Sequence, residues 1–413
     1  MIKKIQTIRN GYNPLLFDFA CGVITALLFS SFIYLEHFGI TLKIINTLFG
    51  LLALALLLYI PKRAVLVAGF FIGLLWFYWI GYSFKYNDVG YMTPIITLLF
   101  ALIYMLFFGI LALTKSVAIR ALVLFGLSFA KPFDFNWLQI ELLFVDSYFG
   151  VYKYQLFLIL LALSLSFYIK KSSYKYAPLL LLLLSININP AIQREAPLKI
   201  KLVATDIPQE KKWQKESLLP TIKLVFHEIH EAKNSGYDLI LFPESVFPLF
   251  MNKAPQIIQE LQNLSQDITI VAGSLLSEGE LNYNVTYKFD KGTFEIAKKL
   301  VLVPFGEYIP LPKFAQDFIN EIFFSGASDF KTATKPTDFT IKGVKFRNAI
   351  CYEATCEEIY EGEVSYVLAL SNNAWFAPSI EPTLQKLLMK YYARKNGATI
   401  YHSANYKGTG IIK

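Results

Sequence analysis

The chain has 413 residues; 55% are hydrophobic and 17% charged, with 39 Lys and Arg against 31 Asp and Glu, a formal net charge of +8. Soluble domains average about 25% charged residues, so this composition excludes disordered, collagen-like and disulfide-stapled chains and speaks against a simple soluble enzyme. Residues 1–195 hold 15 of the cations and 7 of the acids, whereas residues 196–413 hold 24 of each, so the whole excess lies in the first half. A nucleic-acid-binding chain would cluster its basic residues on a soluble module, and no nucleic-acid partner is expected.

Apolar runs bounded by charges predict membrane spans at 15–36, 42–60, 64–83, 93–114, 117–130, 154–169 and 176–189. A spanning helix takes ~20 apolar residues, and the fifth and seventh runs are short. Ten of the 15 cations lie in four acid-free segments: before the first run (Lys3, Lys4, Arg9), after the second (Lys62, Arg63), after the fourth (Lys115, Arg120) and after the sixth (Lys170, Lys171, Lys175). The positive-inside rule then puts the N-terminus in the cytoplasm. Seven spans put residues 196–413 on the opposite side, the periplasm if the membrane is a bacterial inner membrane. The first run is too long for a cleaved signal peptide and lacks a small-residue cleavage site. The aromatic stretch Lys131–Lys153 is amphipathic and is expected to lie in the interface. Residues 1–192 thus read as a helical membrane bundle, with the lipid bilayer as a partner.

Residues 196–413 alternate strand and helix patterns. Strands are predicted at Leu198–Ala204, Leu239–Phe242, Ile268–Ala272, Tyr283–Phe289, Phe294–Val303, Phe339–Ile341, Val344–Cys351, Val364–Leu370 and Thr399–Ser403, with helices at Lys215–Asn234 and Pro382–Lys395. Interleaving of this kind argues for a layered α/β domain. Three reactive side chains stand at or near strand ends, where loops present them to a cleft: Glu244 in LFPES, Lys299 in KKLVLVPFGEYIP and Cys351 in RNAICYE. A carboxylate takes a proton from a thiol, a thiolate attacks an acyl carbonyl, and an ammonium stabilises the resulting oxyanion. Singly, each has an ordinary explanation: a Glu after a strand is usually a cap, a Lys a solvated charge, a Cys a core filler. Together they form a candidate acyl-transfer centre.

The motifs FPES, KLVLVPFGE and CYE, in this order, resemble the Glu-Lys-Cys triad of the nitrilase superfamily. With LVPFGEYIP and several spans ahead of the domain, the chain is similar over nearly its whole length to the bacterial apolipoprotein N-acyltransferases. The resemblance implies a membrane bundle fused to an α/β nitrilase-like αββα sandwich, here residues 196–413. The family's eight-residue step from Lys299 to Glu307 favours Lys299 over Lys298. It implies Glu244 as general base, Lys299 as electrostatic stabiliser and Cys351 as nucleophile. Glu307, Glu353, Tyr352 and Asn284 would support the site, and Trp213 and Trp375 would line the substrate entrance. Core packing is the ordinary reading of both tryptophans.

The implied reaction moves an acyl chain from the sn-1 ester of a phospholipid, of the phosphatidylethanolamine type, to the α-amino group of a diacylglyceryl-cysteine apolipoprotein. It passes through a Cys351 thioester and needs no cofactor. Val246–Met251 and Phe323–Phe324 would either meet lipid and acyl chain or pack as ordinary loops. The chain departs from the family's pattern at Asn373, where Asp is common, and at Lys386, where His is common. Family members continue past the point matching Lys413, so the resemblance implies a domain short at its C-terminus. A membrane-tethered amidase or nitrilase and a non-catalytic membrane receptor remain alternatives. A zinc site is not expected, because Cys21, Cys351, Cys356 and the His227–His230 pair lack paired-ligand spacing, and a Cys351–Cys356 disulfide stays open.

Overall fold

In the computed structural model, residues 13–87, 89–169, 173–188, 190–304, 306–308 and 330–413 are described. They form two compact units. One comprises Met1–Lys131 and Leu138–Pro190, the other Pro132–Trp137 and Ala191–Lys413.

The first unit is helical: α1 (Pro14–His37), α2 (Lys43–Tyr59), α3 (Lys62–Phe77), α4 (Thr93–Gly109), α5 (Val117–Leu127) and α6 (Lys153–Tyr168). Three helical stretches, Pro14–His37, Lys62–Tyr86 and Gly90–Leu113, are long and apolar enough to cross a membrane. Four others, Lys43–Tyr59, Val117–Leu127, Lys153–Tyr168 and Tyr176–Ser185, are apolar but shorter. Glycines set the closest approach. A β-carbon on Gly69 would stand 2.7 Å from the Tyr104 carbonyl oxygen, and one on Gly73 2.8 Å from that of Phe100. These two positions, four apart on α3, let the α4 backbone approach, as small residues do between membrane helices.

Arg120 is not a solvated loop charge. It is buried, and its guanidinium donates to the carbonyls of Leu58 (3.2 Å), Ile60 (2.7 Å), Leu111 (3.0 Å) and Thr114 (3.2 Å). These carbonyls lie at or just past helix ends, where intrahelical partners run out. The stretch Lys131–Lys153, expected to lie in the interface, forms short 3₁₀ turns and not a continuous helix. Leu138 through Val145 are buried within the first unit, and Lys153 pairs with buried Glu141 at 2.7 Å. Its aromatic side chains supply packing: the Phe144 ring would meet a β-carbon on Gly50 at 2.8 Å.

The second unit contains two five-stranded sheets. The first has β1 (Ile200–Leu202), β2 (Leu239–Leu241), β3 (Thr269–Glu278), β4 (Leu281–Asp290) and β5 (Thr293–Lys298) in sequential order. The second, in order β10-β9-β8-β7-β6, is built from β6 (Asp338–Ile341), β7 (Val344–Ile350), β8 (Tyr366–Asn372), β9 (Thr399–Asn405) and β10 (Gly410–Ile412). Side chains alternate between the faces of a strand. Leu239 and Leu241 therefore pack with Phe339, Phe346, Leu368 and Leu370 between the sheets. Ile240 and Phe242 pack on the other face, under α8 (Lys215–Asn234) and α9 (Pro255–Leu264), against Val225, Ile229 and Leu261. Burying each such side chain contributes ~1.5–3 kcal/mol. With α10 (Glu381–Asn396) against the second sheet, the result is an α/β αββα sandwich.

Several strands end before the apolar pattern does. The predicted strand Phe294–Val303 stops at Lys298, and the strand predicted through Cys351 stops at Ile350. Three elements escaped the sequence reading: α9, β10 and the short helix α7 (Gln209–Lys212).

Candidate active site

Glu244 leaves the end of β2 in a tight turn. The Phe242 amide donates to Val271 and the Phe247 amide to Gly273, pinning the turn on both sides to β3. Ser245 has φ +46°, a conformation that a β-carbon disfavours. The turn presses onto β3 at Gly273, where a β-carbon would stand 2.5 Å from the Ser245 nitrogen and 2.7 Å from the Glu244 Cα. Glycine there is a steric requirement for placing the carboxylate.

Lys299 follows β5, and its amide donates to Asn284 on β4. Alternation separates it from Lys298. The Lys298 side chain is 30% exposed and pairs with Glu278, whereas that of Lys299 is 1% exposed. The Lys299 ammonium lies 2.6 Å from Glu307 and 3.9 Å from Glu244. Burial alone would lower its pKa, but Glu307, Glu244 and Cys351 carry it above its ordinary value, so it stays charged. Asn284 completes the cluster, donating to Glu244 Oε1 (2.7 Å) and Glu307 Oε1 (3.3 Å).

Cys351 sits where β7 breaks into a short 3₁₀ turn (Cys351–Thr355), at φ +55°. Strained backbone of this kind clusters at functional sites. Burial pushes the thiol well above its ordinary pKa. Glu244 adds to the shift and Lys299 opposes it. The thiol is therefore neutral at pH 7 and needs a base before it can attack. Cys351 and Cys356 are both free thiols, not a disulfide.

Glu353 is a brace. Its Oε1 accepts the Ile350 amide (2.6 Å), and its Oε2 accepts those of Leu300 (2.7 Å) and Val301 (3.2 Å). It thus ties the Cys351 turn to the segment after Lys299. Burial raises its pKa to about 7, while Lys299 and the three amides act to lower it. Tyr352 is held away from the reacting groups. Its hydroxyl accepts the Asn136 amide (3.2 Å) and donates to the Asp134 carbonyl (3.3 Å), and its ring stacks on Phe135 and Trp137.

The remaining expectations divide. Trp213, just past α7, is 48% exposed, and Trp375 is half-buried on the short turn Asn373–Phe376. Val246, Phe247 and Met251 belong to the apolar core under α8 and α9, so that loop is packing and not a lipid-facing edge. Phe323 and Phe324 lie outside the described residues. His227 is exposed beside Glu231 on α8, an ordinary surface position.

Three site residues were not anticipated. Gln385 on α10 is buried, and its Nε2 lies 3.8 Å from the Cys351 Sγ. Glu381, one helical turn earlier on the same face, is buried at the start of α10. Burial and then Glu244 push its pKa well above the ordinary carboxyl value. Lys212 is buried, and its ammonium donates to the Glu244 main-chain carbonyl (2.9 Å). The i, i+4 spacing of Glu381 and Gln385 on an otherwise apolar helix face was the available signal. For Lys212 it was the adjacent Trp213.

Residues 16–188 match the apolipoprotein N-acyltransferase integral membrane domain. Over 411 residues the chain is 44% identical to the apolipoprotein N-acyltransferase of Wolinella succinogenes, covering 99% of each. The chain belongs to the apolipoprotein N-acyltransferase family. The Helicobacter pylori apolipoprotein N-acyltransferase is 36% identical over 374 residues, covering 89% of this chain and 87% of the relative. Among solved structures, a CN-hydrolase superfamily protein from Xanthomonas campestris overlaps 52% of this chain and 77% of its own, with TM-score 0.40 and 13% identity.

The Asn373 amide donates to Gln385 Oε1 (3.1 Å) and to the Lys407 carbonyl (2.8 Å). It thereby fixes the glutamine that faces Cys351. An Asp at this position could donate to neither. Gln385 on α10 brings its Nε2 to 3.8 Å from the Cys351 Sγ.

Proposed function

We propose that this protein transfers a fatty acyl chain from a phospholipid to the N-terminal amine of a diacylglyceryl-cysteine lipoprotein, with Cys351 as nucleophile. One observation carries this reading: a neutral, partly buried thiol on a strained turn beside a carboxylate and a charged buried lysine. A membrane unit in the same protein suits lipid-borne substrates, which disfavours an amidase acting on soluble molecules. Full-length relatives named as acyltransferases disfavour a receptor.

In the first step Glu244 takes the thiol proton as Sγ attacks the sn-1 ester carbonyl. The Lys299 ammonium stabilises the oxyanion; removing one such donor typically costs 10²–10³-fold in rate. Collapse expels the glycerol oxygen, which recovers the proton from Glu244 and leaves as lysophospholipid, with the acyl chain in thioester linkage. In the second step the acceptor amine attacks the thioester carbonyl and Glu244 removes its proton. The thiolate leaves and is reprotonated by Glu244, so protons and charge balance over the cycle. Asn284 holds the base for both steps, and Glu307 holds the ammonium near it. Trp213 and Trp375 would flank substrate entry. The charge pattern puts the N-terminus in the cytoplasm and residues 196–413 in the periplasm of a bacterial inner membrane.

The test supplies phosphatidylethanolamine and a synthetic diacylglyceryl-cysteine peptide together. Triacylated peptide and lysophospholipid should appear in equal amounts, and Cys351→Ser should form neither. Peptide acylation that persists in Cys351→Ser, or lysophospholipid released without any acylated peptide, contradicts the proposal.

A further inference from the structure

Two lysines, not one, are buried beside the candidate base. Lys299 has two carboxylates as neighbours. Lys212 has a single side-chain hydrogen bond among the described residues, from its ammonium to the main-chain oxygen of Glu244 at 2.9 Å. It is 2% exposed, while Lys211 beside it faces solvent. Burial lowers its pKa to about 8, against the upward pull of Glu244 and Cys351. An ammonium withdrawn from water is costly, and one hydrogen bond is poor compensation. A methionine would fill the same space without that cost.

The single bond falls at a decisive place. The Glu244 carbonyl belongs to the peptide plane between Glu244 and Ser245, and the orientation of that plane sets the Ser245 φ of +46°. Serine resists this conformation. Gly273 crowds the same plane from β3, with a β-carbon there only 2.9 Å from the Glu244 carbonyl carbon. With the carbonyl released, the plane would relax by rotating, and the Glu244 side chain would swing from Asn284, 2.7 Å away, and from Lys299. Lys212 also ends α7, immediately before Trp213.

We propose that Lys212 is a positioning residue for the base. It clamps the Glu244–Ser245 peptide plane in its strained orientation and so ties the Trp213-bearing segment to the catalytic turn. The choice of lipid assay rests on the acyl-transfer reading above; the clamp itself does not.

Lys212→Met in the full-length protein is read in two ways. The first is alkylation of Cys351 by iodoacetamide, followed by peptide mass spectrometry, which needs no lipid. The second is single-turnover acylation of Cys351 from phosphatidylethanolamine. Both rates should fall about 10- to 100-fold, the cost of a small displacement of a catalytic group. The apparent KM for the donor should change by less than about threefold. Adding Ser245→Gly should restore at least about fivefold, because glycine adopts the turn without strain. Alkylation of Lys212→Met within about twofold of the unmodified protein, or no restoration by Ser245→Gly, overturns the proposal. If Lys212→Met does not fold, Lys212→Arg carries the test, since it keeps donors for the carbonyl. It should alkylate within about tenfold of the parent, and a loss equal to that of Glu244→Gln overturns the clamp. A parent protein that is never acylated, but whose alkylation still depends on Lys212, removes the acyl-transfer reading and leaves the clamp standing.

Discussion

Buried Arg120 in the membrane unit and the buried groups around Cys351 in the second unit are handled in opposite ways. In the membrane unit several polar groups are closed off by nearby backbone or side-chain oxygen. Arg120 spends its donors on four carbonyls, the Tyr34 hydroxyl on the Leu75 carbonyl and the Trp76 indole on Ser30. Around Cys351 in the second unit, buried ionisable groups are gathered on one another. Lys299 and Glu244 lie 3.9 Å apart, Cys351 feels both, and the two turns that carry Glu244 and Cys351 are strained. Closing a polar group with a fixed partner yields stability. Facing reactive groups across a small gap leaves charge and protons free to move when a substrate arrives. The contrast separates structural from chemical burial without reference to any relative.

Substitutions on the two sides should therefore fail differently. The largest effect belongs to the centre. Cys351→Ala should abolish acyl-enzyme formation, and Lys299→Met should lower its rate ~10²–10³-fold with little change in unfolding midpoint, both read by single-turnover acylation. Glu244→Gln should lose ~10²–10⁴-fold and change the pH response. Burial holds the Cys351 thiol above its ordinary range. Without the base, alkylation of Cys351 should be slow at pH 7 and keep rising with pH past 9. A plateau near neutrality in Glu244→Gln would mean that the thiol ionises unaided.

Gly273→Ala tests whether strain at the base is sterically enforced. Its β-carbon would displace the Glu244 turn. We expect a rate loss of at least about tenfold together with about 1–3 kcal/mol of destabilisation, from parallel acylation and denaturation measurements. Arg120→Met is the converse. It leaves helix-end carbonyls unsatisfied, and we expect a loss of about 2–3 kcal/mol with unchanged acylation per folded molecule. An Arg120→Met protein that stays stable but loses chemistry would break the comparison. The smallest effect is expected of His227→Ala, within about 0.5 kcal/mol and neutral in activity, because the side chain is exposed and remote from the triad in sequence.

Much of this architecture was legible in the residues. Glu244, Lys299 and Cys351 are chemically distinct groups at the ends of apolar strands, and the resemblance to the family, with its eight-residue step to Glu307, favoured Lys299 over Lys298. What could not be read depended on long-range partners. Leu300 and Val301 continue the apolar pattern of β5, but their amides bond to Glu353 and not to a neighbouring strand, so the predicted strand overran. Lys212, Glu381 and Gln385 enter the centre from α7 and α10, separated from their partners by stretches of chain that no local pattern spans. The segment Pro132–Trp137 looked like part of a membrane-half loop, yet it belongs to the catalytic unit. There Asn136 and Trp137 bond to Thr355 (2.9 and 2.8 Å), in the turn that follows Cys351. Arg120 was read as a topology charge because sequence shows the cation and not the carbonyls around it.

The most direct test of the central claim is the mass of the Cys351 peptide after the full-length protein is mixed with phosphatidylethanolamine alone, without acceptor. The account predicts a gain of one acyl chain at Cys351, removable by hydroxylamine as a thioester should be, and absent in Cys351→Ala. An unmodified Cys351 peptide from folded protein, or an acyl chain found on any other residue, contradicts it.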